Sequence, residues 1–205
     1  MRFQRSDSRR ANRLERDAAR TTARTLGDAL RGAHVFIGVS VADCVKPEHV
    51  QAMASFPAIF AMANPTPEIL PEIVAEAFGS KPYVMATGRS DYPNQINNVL
   101  GFPFLFRGAL DTRARTINMD MKKAQALADL AQKPVPPDIQ DLYQDRALCF
   151  GPGYIVPKPF DHRLITEVSF AVAEAAVGSG AAVITDLKTC KAQLQARANR
   201  LHSRA

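Results

Sequence analysis

Thr87-Gly88-Arg89-Ser90-Asp91-Tyr92-Pro93-Asn94-Gln95-Ile96-Asn97-Asn98-Val99-Leu100-Gly101-Phe102-Pro103 starts where an apolar run, Tyr83-Val84-Met85-Ala86, stops. It leads into an apolar, helix-like stretch opened by Asn97 and Asn98. The run therefore reads as the end of a strand, a polar loop and a helix start. Amide side chains and backbone donors gathered directly after a strand are how an α/β enzyme holds a small polyanion. Asn is neutral at every pH, so a pair of them orients a carboxylate or carboxamide with no charge of its own to desolvate.

Upstream, two more units repeat the pattern. Residues 35–39 form a continuous apolar run of the kind found in a parallel strand buried on both faces. A short helix is expected before it, over residues 25–31, and another after it, starting at Pro47-Glu48, with proline early and an acid near the positive end of the helix dipole. Residues 58–63 give a second strand, which Asn64-Pro65-Thr66-Pro67 must end because two prolines forbid further ladder bonds. A helix is expected over residues 68–78, with Glu68, Glu72 and Glu76 four apart on a solvated acidic face, and residues 83–87 give the third strand. Strands alternating with helices at this spacing imply parallel crossovers. The expected fold is α/β: a partial doubly wound, Rossmann-like parallel sheet of about three strands, with helices on both faces and extra C-terminal helices.

Downstream, residues 117–131 carry apolar positions at helical spacing until Pro134, Pro136 and Pro137 end the pattern. Pro157 and Pro159 keep residues 154–159 out of any central strand. Residues 163–177 form an alanine-rich amphipathic helix broken at Gly178-Ser179-Gly180. In the tail, Leu187, Leu194 and Leu201 stand seven apart, too few for a coiled coil, so a solvated helix or linker is expected. The organisation read from this pass is a basic arm over residues 1–24, partly helical over 11–23 or disordered, a single domain over 25–185, and a basic tail over 186–205.

The 205 residues are 46% hydrophobic and 22% charged, which suits one apolar core, and no apolar run approaches bilayer length. No signal-peptide h-region is present, so a cytoplasmic location and no membrane partner are expected. Cys44, Cys149 and Cys190 are widely spaced without a C-x-x-C pair, and His34, His49, His162 and His202 are scattered, so the pattern names no metal ligand and no disulfide. Much of the net charge of +6 comes from arginines crowding the start and basic residues crowding the end. Asp7, Glu15 and Asp17 interrupt the first cluster and no interleaved aromatics accompany it, so a solvated arm is expected and no nucleic-acid partner.

Four blocks in order carry a family resemblance: Val35-Phe36-Ile37-Gly38-Val39-Ser40; Ala61-Met62-Ala63-Asn64-Pro65-Thr66-Pro67-Glu68-Ile69; the asparagine loop; and Phe106-Arg107-Gly108-Ala109-Leu110-Asp111. Over residues 26–182 the chain resembles the C-terminal part of a malic enzyme, which oxidises and decarboxylates malate to pyruvate with NAD or NADP. A further block, Phe150-Gly151-Pro152-Gly153-Tyr154-Ile155-Val156-Pro157-Lys158-Pro159-Phe160-Asp161, resembles the bacterial branch, in which a phosphotransacetylase-like domain often follows. The resemblance implies that Gly38 and Ser40 lie beside the dinucleotide and that Asn64 contacts the nicotinamide ribose or carboxamide. It implies too that Asn98, with Asn97 beside it, holds the malate carboxylate or hydroxyl. Each has a structural rival: Asn64 before a proline is a good turn residue, and Asn97 or Asn98 can cap a helix, so that one caps while the other binds. Arg89, Asp91 and Tyr92 are weaker candidates, read as hydrogen-bond support for the loop.

The family's catalytic tyrosine and lysine, its metal-binding carboxylates and its glycine-rich fingerprint lie upstream of the matched region. No G-x-G-x-x-G occurs in this sequence. The resemblance therefore implies the second half of a cofactor domain with no catalytic residue of its own. The Mg or Mn of the complete enzyme would be ligated elsewhere, and the isolated chain would be inactive. An alternative is a non-catalytic module that docks on a full-length malic enzyme. Either way the first strand's missing neighbour leaves an open edge, which predicts a homo-oligomer or such a partner.

Overall fold

The computed structural model describes residues 21–122 and 126–202. Most of the basic arm, residues 1–20, and with it nearly all of the helix read over residues 11–23, lies outside the described residues. Three short strands, β1 (Val35–Gly38), β2 (Ala58–Ala61) and β3 (Val84–Thr87), form one parallel sheet in the order β1-β2-β3. Val35 pairs with Ala58 and Ala58 with Val84, so the strands run in register and their carboxyl ends share one side of the sheet. The α/β parallel architecture expected from the strand and helix spacing is borne out.

Helix α1 (Leu26–Leu30) starts at a capping box: the Thr25 side chain accepts from the Asp28 N–H, and the Asp28 carboxylate accepts from the Thr25 N–H. Helix α2 (Pro47–Gln51) and helix α3 (Pro71–Phe78) both begin on a proline, where a missing N–H costs nothing. These helices cover one face of the sheet. Leu30, Val50, Val74 and Phe78 from the helices close over Phe36 and Ile59 from the strands in one apolar cluster.

Two expectations fail here. Strand β1 is not buried on both faces: Phe36 and Gly38 point into the core, whereas Val35 is 51% exposed and Ile37 65%. Its outer hydrogen-bonding edge has no neighbouring strand among the described residues, in line with the open edge expected there. And the helix after β2 begins at Pro71 rather than residue 68, because a proline lacks the N–H that an interior helical position must donate. Glu68 is thereby released from the helix face, with consequences for the site.

After β3 the chain makes a 3-10 turn (Asn98–Leu100) and then helices α4 (Phe102–Asp111), α5 (Met119–Lys122), α6 (Ala126–Gln132), α7 (Pro137–Leu142), α8 (Leu164–Gly178) and α9 (Leu187–His202). Helix α8 is the hub, burying Leu164, Val168 and Val172 toward α4, α5 and α6. At its crossing with α4 the backbones touch: a Cβ on Gly108 would lie 2.3 Å from the Ser169 carbonyl oxygen, so no side chain fits. The tail is the helix expected as one alternative, but one face of it is buried rather than solvated. Helix α9 packs on α8 through Cys190, Leu194 and Ala198, all buried at four-residue spacing. The seam combines Cys190, Leu194 and Ala198 with a partly buried Leu187, so the leucine heptad marked it only in part.

Candidate functional site

Gly38, Asn64 and Gly88 lie at or just past the carboxyl ends of the three strands. What fixes the first two of these tips is Glu68. Its side chain is fully buried. One carboxylate oxygen accepts from the Ser40 N–H at 2.8 Å and from the Ser40 hydroxyl at 3.4 Å; the other accepts from the Ala63 N–H at 3.0 Å. The carboxylate thus bridges the chain leaving β1 to the chain leaving β2. Its own carbonyl accepts from the Val45 N–H at 2.9 Å, which draws in the loop after β1. A buried carboxylate is tolerated because N–H and O–H donors replace the water it has lost.

Gly38 owes its identity to this clasp. A Cβ there would stand 2.5 Å from the Glu68 carboxyl carbon and 2.8 Å from the Phe36 ring. Ser40 is exposed, with its N–H and hydroxyl turned toward Glu68. Asn64 is exposed, joined to Pro65 by a cis peptide, and its carboxamide makes no hydrogen bond among the described residues. The rival turn role, in which that side chain caps its own backbone, is therefore not realised.

The third tip is held by amides. Asn94, buried and in the left-handed region at φ 54°, donates to the Met85 carbonyl at 2.9 Å and the Pro152 carbonyl at 2.7 Å, and accepts from the Ile155 N–H at 2.8 Å. Asn tolerates this backbone conformation better than most residues. Asn97 donates to the Gly88 carbonyl at 3.1 Å and accepts from the Val99 N–H at 3.0 Å, capping the 3-10 turn. Asn98 is exposed, and its carboxamide makes no hydrogen bond among the described residues. Of the pair, Asn97 caps and Asn98 remains available.

Around the loop, Arg89 pairs with Asp91, donating at 2.8 Å through Nε, and the Tyr92 hydroxyl donates to Glu72 at 2.5 Å. Those bonds hold the Asp91 and Glu72 carboxyls below their ordinary range, the Arg89 contact dominating for the first and the Tyr92 contact for the second. Arg89, Asp91 and Tyr92 therefore do brace the loop. Beside it lies a cleft of about 540 Å³, walled by Ser90, Gln95 and Asn97 on one side and by Tyr143, Lys158 and Phe160 on the other.

Among the described residues no group of three His, Cys, Asp or Glu side chains could hold a metal ion. No described helix is long and apolar enough to cross a membrane. Sequence reasoning missed Glu68 and Asn94. Pro71 was the available signal for Glu68, since it moves the helix start beyond it; for Asn94 it was an asparagine following Pro93 in a loop that must reverse direction.

Residues 4–144 match the family described as the malic enzyme NAD binding domain, a match that begins within the segment read above as an arm. The chain is 52% identical over 189 residues to the probable NADP-dependent malic enzyme of Rickettsia prowazekii (strain Madrid E), covering 90% of this chain and 24% of that protein. It is 54% identical over 165 residues to the NADP-dependent malic enzyme of Halomonas elongata, covering 79% of this chain and 38% of that one. The crystal structure of malic enzyme from Pyrococcus horikoshii Ot3 superposes with a TM-score of 0.71 at 34% identity, over 88% of this chain and 38% of that chain. The chain thus spans well under half the length of each.

Proposed function

Because this chain belongs to the malic enzyme family and carries its NAD-binding domain over residues 4–144, we propose that it forms the nicotinamide and malate side of an oxidative decarboxylation site. The observation that carries this is the common end of the sheet. In-register parallel strands bring Gly38, Asn64 and Gly88 to the same end of the sheet, the end at which open α/β sheets take their ligands, and this supports the reading.

In this reading the side-chain-free Gly38 and the Ser40 that follows it lie against the dinucleotide, and the free Asn64 carboxamide meets the nicotinamide ribose or carboxamide. Asn98 holds the malate carboxylate or hydroxyl, while Asn97 sets the loop that presents it. Glu68 acts through Ser40 and Ala63 as a positioning residue. The bound nicotinamide, NAD or NADP, supplies the hydride acceptor. A divalent metal, Mg or Mn, would be held by carboxylates that the family resemblance puts upstream of the matched segment. Amides orient reactants without moving protons, so the chain by itself releases no carbon dioxide from malate. The setting proposed is the cytoplasm, with malate and pyruvate as substrate and product and no nucleic acid or membrane partner.

Equilibrium dialysis with NADP and with NAD tests the crevice. Asn64→Ala should weaken nucleotide binding about tenfold, the worth of a lost hydrogen bond in a desolvated site, and leave the thermal melt in place. No saturable nucleotide binding by the unsubstituted chain would refute the reading. A malate assay with manganese completes it: turnover by the chain alone would refute the orienting role. The exposed Val35 and Ile37 on an edge strand favour a second reading, in which the chain docks through β1 on another copy or on a full-length malic enzyme.

A further inference from the structure

The cleft beside the asparagine loop contains one charge that the description above leaves unused. Lys158 is half-buried, and its ammonium sits 5.3 Å from the centre of the Tyr143 ring. No carboxylate lies within ion-pair distance of it among the described residues. The one acid in the cleft wall, Asp91, is already paired with Arg89. Burial pushes the Lys158 pKa down, with only the more distant Asp145 acting against that. A desolvated cation facing a cleft without its counter-ion favours an anion there.

The walls are fixed in advance. Pro157 and Pro159 flank Lys158 and hold it extended. One end of this segment is tied to the asparagine loop by Asn94, through the Pro152 carbonyl and the Ile155 N–H. The other end is tied by the buried Asp161, which pairs with Arg163, whose guanidinium also donates to the Pro134 carbonyl at 2.7 Å. Across the cleft, the Ser90 hydroxyl and the Gln95 carboxamide make no hydrogen bond among the described residues. One ammonium with a hydroxyl and a neutral amide matches the single charge and planar acceptors of a carboxylate.

We propose that this cleft is a carboxylate-binding subsite in which Lys158 is the counter-ion and Ser90 and Gln95 are the orienting donors. It rests on the malate reading, as the place where one carboxylate of a dicarboxylic acid is received while the asparagine loop orients the rest.

The test is a titration of the isotope-labelled full chain, followed by backbone amide shifts, with succinate as a probe that cannot be turned over. Saturable shifts at Ser90, Gln95 and Lys158 are expected. Lys158→Gln should weaken them about tenfold or more, as loss of a charged hydrogen bond does, and Lys158→Arg should retain most of the affinity. Melting curves of both variants confirm that they fold. Absence of saturable shifts, or equal affinity in Lys158→Gln, overturns the proposal; so does tighter binding of inorganic phosphate than of succinate, which would reassign the cleft to a phosphate. NADP titrated separately reports on Gly38 and Asn64. A response to succinate without one to NADP would sink the nucleotide reading and leave this subsite standing; the reverse would sink the subsite alone.

Discussion

The tips of β1 and β2 and the tip of β3 meet at the same end of the sheet, but they are held by opposite chemistry. At the first pair a fully buried carboxylate, Glu68, gathers the Ser40 and Ala63 donors. At the third, a buried carboxamide, Asn94, gathers two carbonyls and an N–H. The difference follows from what each tip offers. The chain leaving β1 and β2 turns N–H groups inward, which an acceptor-only carboxylate satisfies; Asn94 instead faces two carbonyls, Met85 in β3 and Pro152, and the Ile155 N–H, which only a group that donates and accepts can satisfy. The Glu68 carboxylate is buried in the helix-covered core, and the exposed chain beyond the strand ends carries neutral amides at Asn64 and Asn98. A negatively charged ligand at the strand ends therefore meets neutral amides first, with the Glu68 carboxylate behind them engaged by the Ser40 and Ala63 donors.

The largest effect is expected at the amide tip. Asn94→Ala removes three hydrogen bonds, at about 1 kcal/mol each, and places alanine at φ 54°, which costs about 1 kcal/mol more. The expected loss in chemical denaturation is about 4 kcal/mol. Asn94→Gly should recover the conformational part and no more. If the two variants were equally stable, the left-handed backbone would not be part of what Asn94 does.

At the carboxylate tip, Glu68→Ala strands the buried Ala63 N–H and should cost about 2 kcal/mol, and Glu68→Gln, which keeps an acceptor, about half of that. Gly38→Ala should also cost about 2 kcal/mol by overpacking, because the carboxyl it meets is pinned by its hydrogen bonds and cannot swing away. The two sites must then be coupled: in the Glu68→Ala background, Gly38→Ala should cost less, with only the Phe36 ring contact left to relieve. Additive losses in that double-mutant cycle would separate the glycine from the clasp.

The contrast between the tips also explains what could be read from sequence. Three apolar runs split by turn residues were enough for the parallel sheet, since periodicity and prolines act locally. Gly38, Asn64 and Asn98 could be singled out as candidates from the sequence because strand ends in such sheets are where ligands sit. Glu68 was not, because its environment is made by residues 40 and 63 arriving from two other elements, and its spacing with Glu72 and Glu76 imitates a solvated helix face. Asn94 was quoted within its loop, yet its partners at Pro152 and Ile155 lie about sixty residues on. Residues whose role is set by long-range partners leave little local trace. The α9 seam escaped in part for the related reason that cysteine and alanine bury well without looking like a core.

A smaller effect on stability, though a visible one on assembly, is expected at the open side of β1. Ile37→Lys places a charge on the exposed face of the edge strand, so fold stability should change by no more than about 0.5 kcal/mol. Self-association measured by light scattering should fall, as charged edge strands resist pairing. A monodisperse monomer before substitution, with a cooperative melt, would show that the exposed face of β1 recruits nothing.

The smallest effect distinguishes the loop from the clasp by pH. Asp91 and Glu72 are held below their ordinary values of 3.8 and 4.5 by Arg89 and Tyr92. A depressed carboxyl stabilises above its unfolded value, and the contribution disappears as pH falls through the lower folded value. Acidification should therefore loosen the Ser90 to Tyr92 loop in amide exchange. Both groups are exposed, so the global melt should hardly follow. Asp91→Asn should remove the Arg89 part of that local response at all pH values, and high salt should shrink it by screening. If exchange at Ser40 and Ala63 rose in step with the loop, the two tips would be one cooperative unit, and their different chemistry would be two fastenings of a single rigid edge.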